Sequence, residues 1–288
     1  MSKKIKYLKK IAEALDRLSP VSNGEAIDFE QTYAFTWKPN LGILEPVAYF
    51  NNVNIKLLVG IENIQKILMS NTEQFVKGFA ANNALLWGAR GMGKSSLVKA
   101  VHLEFVDSGL KLVEIKREDL NSLDLLINKL RDEKFRFILF CDDLSFSEDD
   151  TDYKSMKALL DGSIESRPNN IIFYATSNRR HLMPRKMSEN ENATAINPAE
   201  SIDEKVSLSD RFGLWLGFYP CDQDQYLKMV QQYSLALNIP IEQKKLFSQA
   251  IEWQQTRGSR SGRVAWQFVT DLAGKNGIKI ESLHRRDF

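Results

Sequence analysis

The chain has 288 residues, 43% hydrophobic and 26% charged, a composition that fits a soluble globular protein with one sizeable core or two domains. Its formal charge of only +2 gives no bulk electrostatic sign of a nucleic-acid or membrane partner. Two cysteines, Cys141 and Cys221, are too few for a disulfide framework and have no metal-ligand spacing, so a reducing, cytoplasmic setting is expected.

Met1 to Leu18 repeats Ile5, Leu8, Ile11, Ala12, Leu15 and Leu18 at helical spacing among lysines. This predicts a basic amphipathic helix, docked on the rest of the chain or offered to a partner, and the lysines break up any signal-peptide core. Residues 20–54 carry Pro, Gly and Asn with Phe29, Tyr33, Phe35, Trp37, Tyr49 and Phe50 in no clear period, and read as an irregular arm pinned by aromatics. From Leu57 the pattern turns orderly, with Ile64, Ile67, Leu68 and Phe75 on one helical face.

The apolar strand Ala84-Leu85-Leu86-Trp87 then runs into Gly88-Ala89-Arg90-Gly91-Met92-Gly93-Lys94-Ser95, followed by Ser96 and a helical pattern through Leu97, Val98, Val101 and Phe105. This is a complete G-x-x-x-x-G-K-[ST] phosphate loop in the strand-to-helix context the chemistry needs. Glycines let backbone N–H groups approach a phosphate, Lys94 can place its ammonium against the β/γ-phosphates, and Ser95 can offer a hydroxyl to Mg²⁺.

Lys111 to Ile115 reads as a strand and Leu120 to Leu130 as a helix. Phe135 to Cys141 is an apolar strand ending in Asp142-Asp143, a helix is expected around Met156 to Leu160, and Ile171 to Ala175 is a strand ending in Thr176-Ser177-Asn178. Strands alternating with helices imply a parallel sheet covered on both faces, with ligands at the strand C-termini. Lys94, Asp142, Asp143 and Asn178 then converge: Asp142 to hold Mg²⁺, Asp143 to orient or deprotonate a water, and Asn178 to fix that water against a γ-phosphate.

Residues 185–206 are polar with little period and read as a rim loop, in which Asn192-Ala193-Thr194 is a chance glycosylation match. After Leu214 to Tyr219, Pro220 begins a helical tail with apolar faces at Tyr226 to Leu237, Leu246 to Trp253 and Val264 to Leu272. Thr256 to Arg263 holds three arginines, which could also meet nucleic-acid phosphates. No Asn-Lys-x-Asp guanine-reading segment occurs, since Asn128-Lys129-Leu130-Arg131-Asp132 has the wrong spacing. The three histidines share no metal-ligand spacing and read as ordinary polar residues.

The order of phosphate loop, Asp142-Asp143 strand, Asn178 strand, Ser209-Asp210-Arg211-Phe212 and a helical tail with Ser261-Gly262-Arg263 resembles the AAA+ ATPases. The wording resembles more closely an uncharacterised bacterial domain-of-unknown-function branch of them, in Asn71 to Phe75, Ala81 to Gly88, Phe140 to Phe146 and Tyr174 to Leu182. The resemblance implies an α/β AAA+ P-loop protein, a three-layer parallel sheet with a C-terminal helical lid: 1–54 an N-terminal helix and arm, 55–219 the nucleotide-binding domain, 220–288 the lid.

It further implies that Gly88, Ala89, Arg90, Gly91, Met92, Gly93, Lys94, Ser95 and Ser96 cradle ATP, that Ser95 and Asp142 hold Mg²⁺, and that Asp143 and Asn178 are the catalytic acid and sensor-1 residues. Arg211 would be an arginine finger reaching a neighbouring subunit of a homo-oligomer, with a strand-edge ion pair to Asp210 or Asp203 as its structural alternative. Arg263, with Arg260 as competitor, would be the lid's sensor-2 arginine, and Val59-Gly60-Ile61 would lie near the adenine. Most relatives carry Glu where this chain has Asp143; the shorter acid fits slow turnover. Two functions stay open, an ATPase that remodels a protein partner and an ATP switch or loader that recruits nucleic acid or protein.

Overall fold

The computed structural model describes residues 28–50, 54–146, 156–157, 160, 168–182 and 208–280. The N-terminal helix expected over 1–18, the rim loop of 185–206 with Asn192, and Asp203 lie outside the described residues.

Seven strands form one sheet in the order β2-β1-β4-β5-β6-β3-β7. They are β1 (Ala34–Lys38), β2 (Ile43–Pro46), β3 (Ala84–Gly88), β4 (Leu110–Glu114), β5 (Arg136–Cys141), β6 (Ile171–Ser177) and β7 (Leu214–Phe218). All neighbouring pairs are parallel except β1 with β2. The helices are α1 (Glu62–Val76), α2 (Lys94–Glu104), α3 (Leu123–Leu130), α4 (Gln223–Ala236), α5 (Gln243–Arg257) and α6 (Gly262–Lys275). This is the expected α/β architecture, a parallel sheet between helical layers with helices following its last strand. Met156, Lys157 and Leu160 are helical, as their spacing predicts.

The central strands read as unbroken apolar runs because both their faces are covered. Ile138, Phe140, Ile172 and Tyr174 point into one core with helix residues Leu68, Leu97 and Val101, and with Val264 and Phe268 of α6. Phe137, Leu139, Phe173 and Ala175 point into the other, with Leu123, Leu126 and Leu130 of α3. Several stretches that carry the family resemblance are ties between these layers. The buried Tyr174 hydroxyl meets Asn71 Nδ2 at 3.0 Å and Thr72 Oγ1 at 2.8 Å, while Asn71 and Asn82 exchange two bonds of 2.9 Å that hold α1 to the start of β3.

Residues 34–46, within the stretch expected to be irregular, instead form the β1–β2 hairpin that extends the sheet beside β4. Alternation is short here and broken by Pro39, Gly42 and Pro46, but Phe35 and Trp37 fill the second core, and Trp37 Nε1 donates to Ser122 Oγ at 2.7 Å. His102, read as an ordinary polar residue, is fully buried on α2. Burial pushes its imidazole down to about 4, so it is held neutral with Nε2 3.2 Å from the Leu110 carbonyl oxygen.

Candidate functional site

The loop between β3 and α2 folds as its glycines dictate. Gly88 has φ +121°, and a Cβ there would stand 2.1 Å from the Phe218 carbonyl oxygen, which accepts a 2.8 Å bond from the Ala89 N–H. Only glycine lets β3 turn this close to the end of β7. Lys94 opens α2 and turns back into the loop, donating from Nζ to the carbonyls of Gly88 (2.9 Å) and Ala89 (2.8 Å) and to Asn178 Oδ1 (3.1 Å). Burial lowers its pKa from the usual 10.5, against the opposing pull of the Asp143 and Asp142 carboxylates.

Strand register brings the acids to this lysine. Cys141 pairs with Ala175 on β6, and Leu86 pairs with Thr176, so the ends of β5, β6 and β3 lie side by side. Asp142 Oδ1 accepts from Ser95 Oγ at 2.6 Å and from Thr176 Oγ1 at 2.5 Å. The same Thr176 hydroxyl accepts the Asp143 N–H at 2.9 Å, and Asp143 Oδ1 accepts from Asn178 Nδ2 at 2.5 Å. Asp143 holds φ +53°, in the left-handed region that Asp tolerates better than most residues, and the Thr176 bond pins it there. Thr176 was noted in the sequence only as part of a strand end. Its role depends on register, which a single strand does not disclose.

These groups open on a cavity of about 1020 Å³, large enough for a nucleotide, between the sheet edge and the C-terminal helices. Its lining includes Arg90 to Ser96, Asp142, Asp143, Thr176 and Asn178. From the helices come Met229 and Tyr233 of α4 and Arg263, Trp266 and Thr270 of α6; Val59 and Ile61 line the side expected near a base. The start of α6 docks on the loop, with the Arg263 N–H 3.1 Å from the Gly91 carbonyl oxygen and Ser261 capping the helix through Val264 N. Of the two candidate lid arginines, Arg263 faces the cavity while Arg260 Nε is bonded to Gln254 Oε1 at 2.7 Å. Gly88 and Ala89 sit behind the cavity wall as the loop's hinge, and Met92 is buried beneath it. Arg211 is half-buried ahead of β7 and is not part of the lining. It precedes the end of β7 away from the phosphate loop, and the five residues of that strand span about 15 Å at ~3.3 Å per residue.

A family model described as a protein of unknown function, DUF815, matches residues 30–276. The chain belongs to the DUF815 family. No curated protein matches it. Among solved structures, this DUF815 chain is similar to Thermotoga maritima RuvB. One variant is 14% identical, with 81% of this chain and 87% of that one covered and a TM-score of 0.46. A second, described as the RuvB Holliday junction branch migration motor, is 14% identical, with coverage of 78% and 72% and a TM-score of 0.44.

The donor set of the DUF815 site suits a hard divalent cation: a Ser95 hydroxyl and an Asp142 carboxylate already share one hydrogen bond, leaving oxygen ligands for Mg²⁺ and room for phosphate oxygens and water. No cluster of three or more His, Cys, Asp or Glu occurs among the described residues. The arrangement can bind a phosphoanhydride, hold a water beside Asp143 and exclude bulk solvent under α6. Among the described residues no helix is long and apolar enough to cross a membrane.

Proposed function

We propose that the protein binds ATP with Mg²⁺ and hydrolyses it, in a homo-oligomer whose neighbouring subunit supplies Arg211. The reading is carried by the single cavity that joins the phosphate loop, both acids, Asn178 and Arg263. Loop N–H groups and Lys94 bind the phosphates, Ser95 and Asp142 would hold Mg²⁺, and Arg263 neutralises phosphate charge from α6. Mg²⁺, when bound, stabilises charge on the β- and γ-phosphoryl oxygens. Asp143 accepts a proton as a water oxygen bonds to the γ-phosphorus and the bond to the leaving ADP oxygen breaks; Asn178 positions that water. Residues 220–288 act as a lid on the 55–219 domain. Arg211 precedes β7 at the strand end away from the phosphate loop and is not part of the cavity lining, a placement that supports action in trans.

A second reading, a slowly hydrolysing ATP switch that recruits a protein or nucleic-acid partner, is favoured by one observation. Asn178 bonds both Lys94 and Asp143, so one carboxylate oxygen of the acid is already engaged by the side chain that would have to position the water. Both readings suit a cytoplasmic protein whose two thiols are free and buried. The test is steady-state ATP hydrolysis against protein concentration for the native chain and Arg211→Ala, with ATP binding measured alongside. Specific activity rising with concentration, and falling about 10³-fold in the variant with binding retained, fits a finger in trans. Retained activity in Arg211→Ala overturns that assignment, and ATP binding with negligible turnover at every concentration favours the switch.

A further inference from the structure

Arg263, Trp266 and Thr270 are spaced three and seven residues apart on α6, and all three line the cavity. That spacing places them on one stripe of the helix, spanning about 10 Å along its axis. Arg263 marks the phosphate end, because its backbone N–H is bonded to Gly91 of the loop. Trp266 follows one turn along, its ring braced edge-on by Tyr233 at 5.5 Å and 85°. Thr270 lies two turns along, and side chains of Leu57, Val59, Met229 and Ile280 supply apolar lining around the stripe.

Thr270 Oγ1 is shut off from solvent and has no hydrogen-bond partner among the described residues. A helical threonine commonly donates back to the carbonyl one turn earlier, here that of Trp266, and this bond is not made. The hydroxyl therefore holds an unused donor and an unused acceptor at a site where leaving them unmade is costly. Threonine in a helix divides between two χ1 rotamers, and exchanging them swaps the methyl and hydroxyl positions. A polar ligand edge in the cavity gives the hydroxyl a partner that the protein does not.

We infer that Thr270 reads the base of the bound nucleotide, its hydroxyl hydrogen-bonding the edge of a purine beside Trp266, so that one helix gauges both ends of the ligand. This rests on the nucleotide-binding reading above. The inference extends to a two-ring base, whose far edge lies farther from phosphates held on the loop than that of a one-ring base.

The experiment is calorimetric titration of the full chain, with Mg²⁺ present, by ATP, UTP and inorganic tripolyphosphate, for the native protein, Thr270→Val and Thr270→Ser. Valine keeps the shape and removes the hydroxyl, so ATP affinity drops about fivefold, the factor carried by one neutral hydrogen bond. UTP and tripolyphosphate affinities stay at native values, and serine restores ATP binding. Melting of the ligand-free valine variant is unchanged or higher, because an unpartnered hydroxyl has been removed, which separates the effect from misfolding. Unchanged ATP affinity in Thr270→Val overturns the inference, as does an equal loss for UTP or tripolyphosphate. A native protein that binds no ATP, whether or not it binds tripolyphosphate, overturns the nucleotide reading together with the base contact, whereas unchanged ATP affinity in Thr270→Val overturns the base contact alone.

Discussion

Thr176→Val tests the register on which the acidic end of the site depends. Valine matches threonine in shape, so no cavity forms, but two bonds are lost: the donation to Asp142 Oδ1 and the acceptance of the Asp143 N–H. A hydroxyl bonded to a carboxylate contributes about 1.5 to 3 kcal/mol when sealed from water. Both aspartates are exposed, so water replaces part of each bond, and the low end applies. Adding about 1 kcal/mol for the orphaned Asp143 N–H at its left-handed backbone gives a loss of roughly 2.5 kcal/mol. Urea unfolding in EDTA reads this directly, and Thr176→Ser, which keeps the hydroxyl, should recover most of it. The variant frees Asp142 to swing, and removing such a supporting bond costs about tenfold in metal affinity. The Mg²⁺ midpoint for ATP binding should rise accordingly. A valine variant with native stability and native Mg²⁺ dependence refutes the positioning role.

Three further outcomes follow from the same geometry. His102 titrates at about 4 when folded against an ordinary 6.5. The unfolded chain therefore takes up a proton first as pH falls, and stability complete above 6.5 declines by about 3 kcal/mol toward pH 4; His102→Gln should flatten that part of the urea-derived pH profile, and an unchanged slope places the titration elsewhere. Asp143→Asn tolerates the φ of +53° and should bind ATP within about twofold of native while turnover falls about 100-fold or more, since it removes only the proton acceptor; undiminished turnover moves the base to another residue. Gly91→Ala, at φ +71° with its Cβ 3.0 Å from Arg263 Cβ and Ser261 Oγ, should lose about 1 to 2 kcal/mol in urea and weaken ATP binding by displacing α6; native ATP affinity shows that docking of α6 on the loop is immaterial.

The parts of this molecule legible from sequence are those whose signal is local. The apolar runs of β3, β5 and β6 are buried on both faces and need no alternation to be seen, and the phosphate loop carries its own spacing. Asp142, Asp143 and Asn178 were found because each ends such a run. The β1–β2 hairpin was missed because its strands are short and its burial comes from Phe35 and Trp37 meeting α3 and Ser122 far along the chain. Thr176 was missed for a related reason: its hydroxyl has meaning only once Cys141 is paired with Ala175. Thr270 belongs to no sequence motif, and only the cavity shows that its hydroxyl is shut in without a partner among the described residues.

The division of labour between the two halves of the cavity follows from how each is held. The phosphate loop, Asp142 and Asn178 hang on the ends of adjacent parallel strands, where register fixes them to one another and leaves little freedom. Arg263, Trp266 and Thr270 belong to a helix that meets the loop through one backbone bond, Arg263 N–H to Gly91, and the close approach of Gly262 to the same carbonyl at 3.2 Å from its notional Cβ. A ligand spanning both halves would add contacts at each end of α6 to the packing of Val264 and Phe268 in the core, so part of its binding energy would go into fixing the helices against the sheet. Loss of the γ-phosphate removes contacts at one end of the stripe and leaves the other. In the proposed oligomer, the position of α4 to α6 would report which nucleotide is bound, and a subunit whose Arg211 reached across to a neighbour would carry that report from one site to the next.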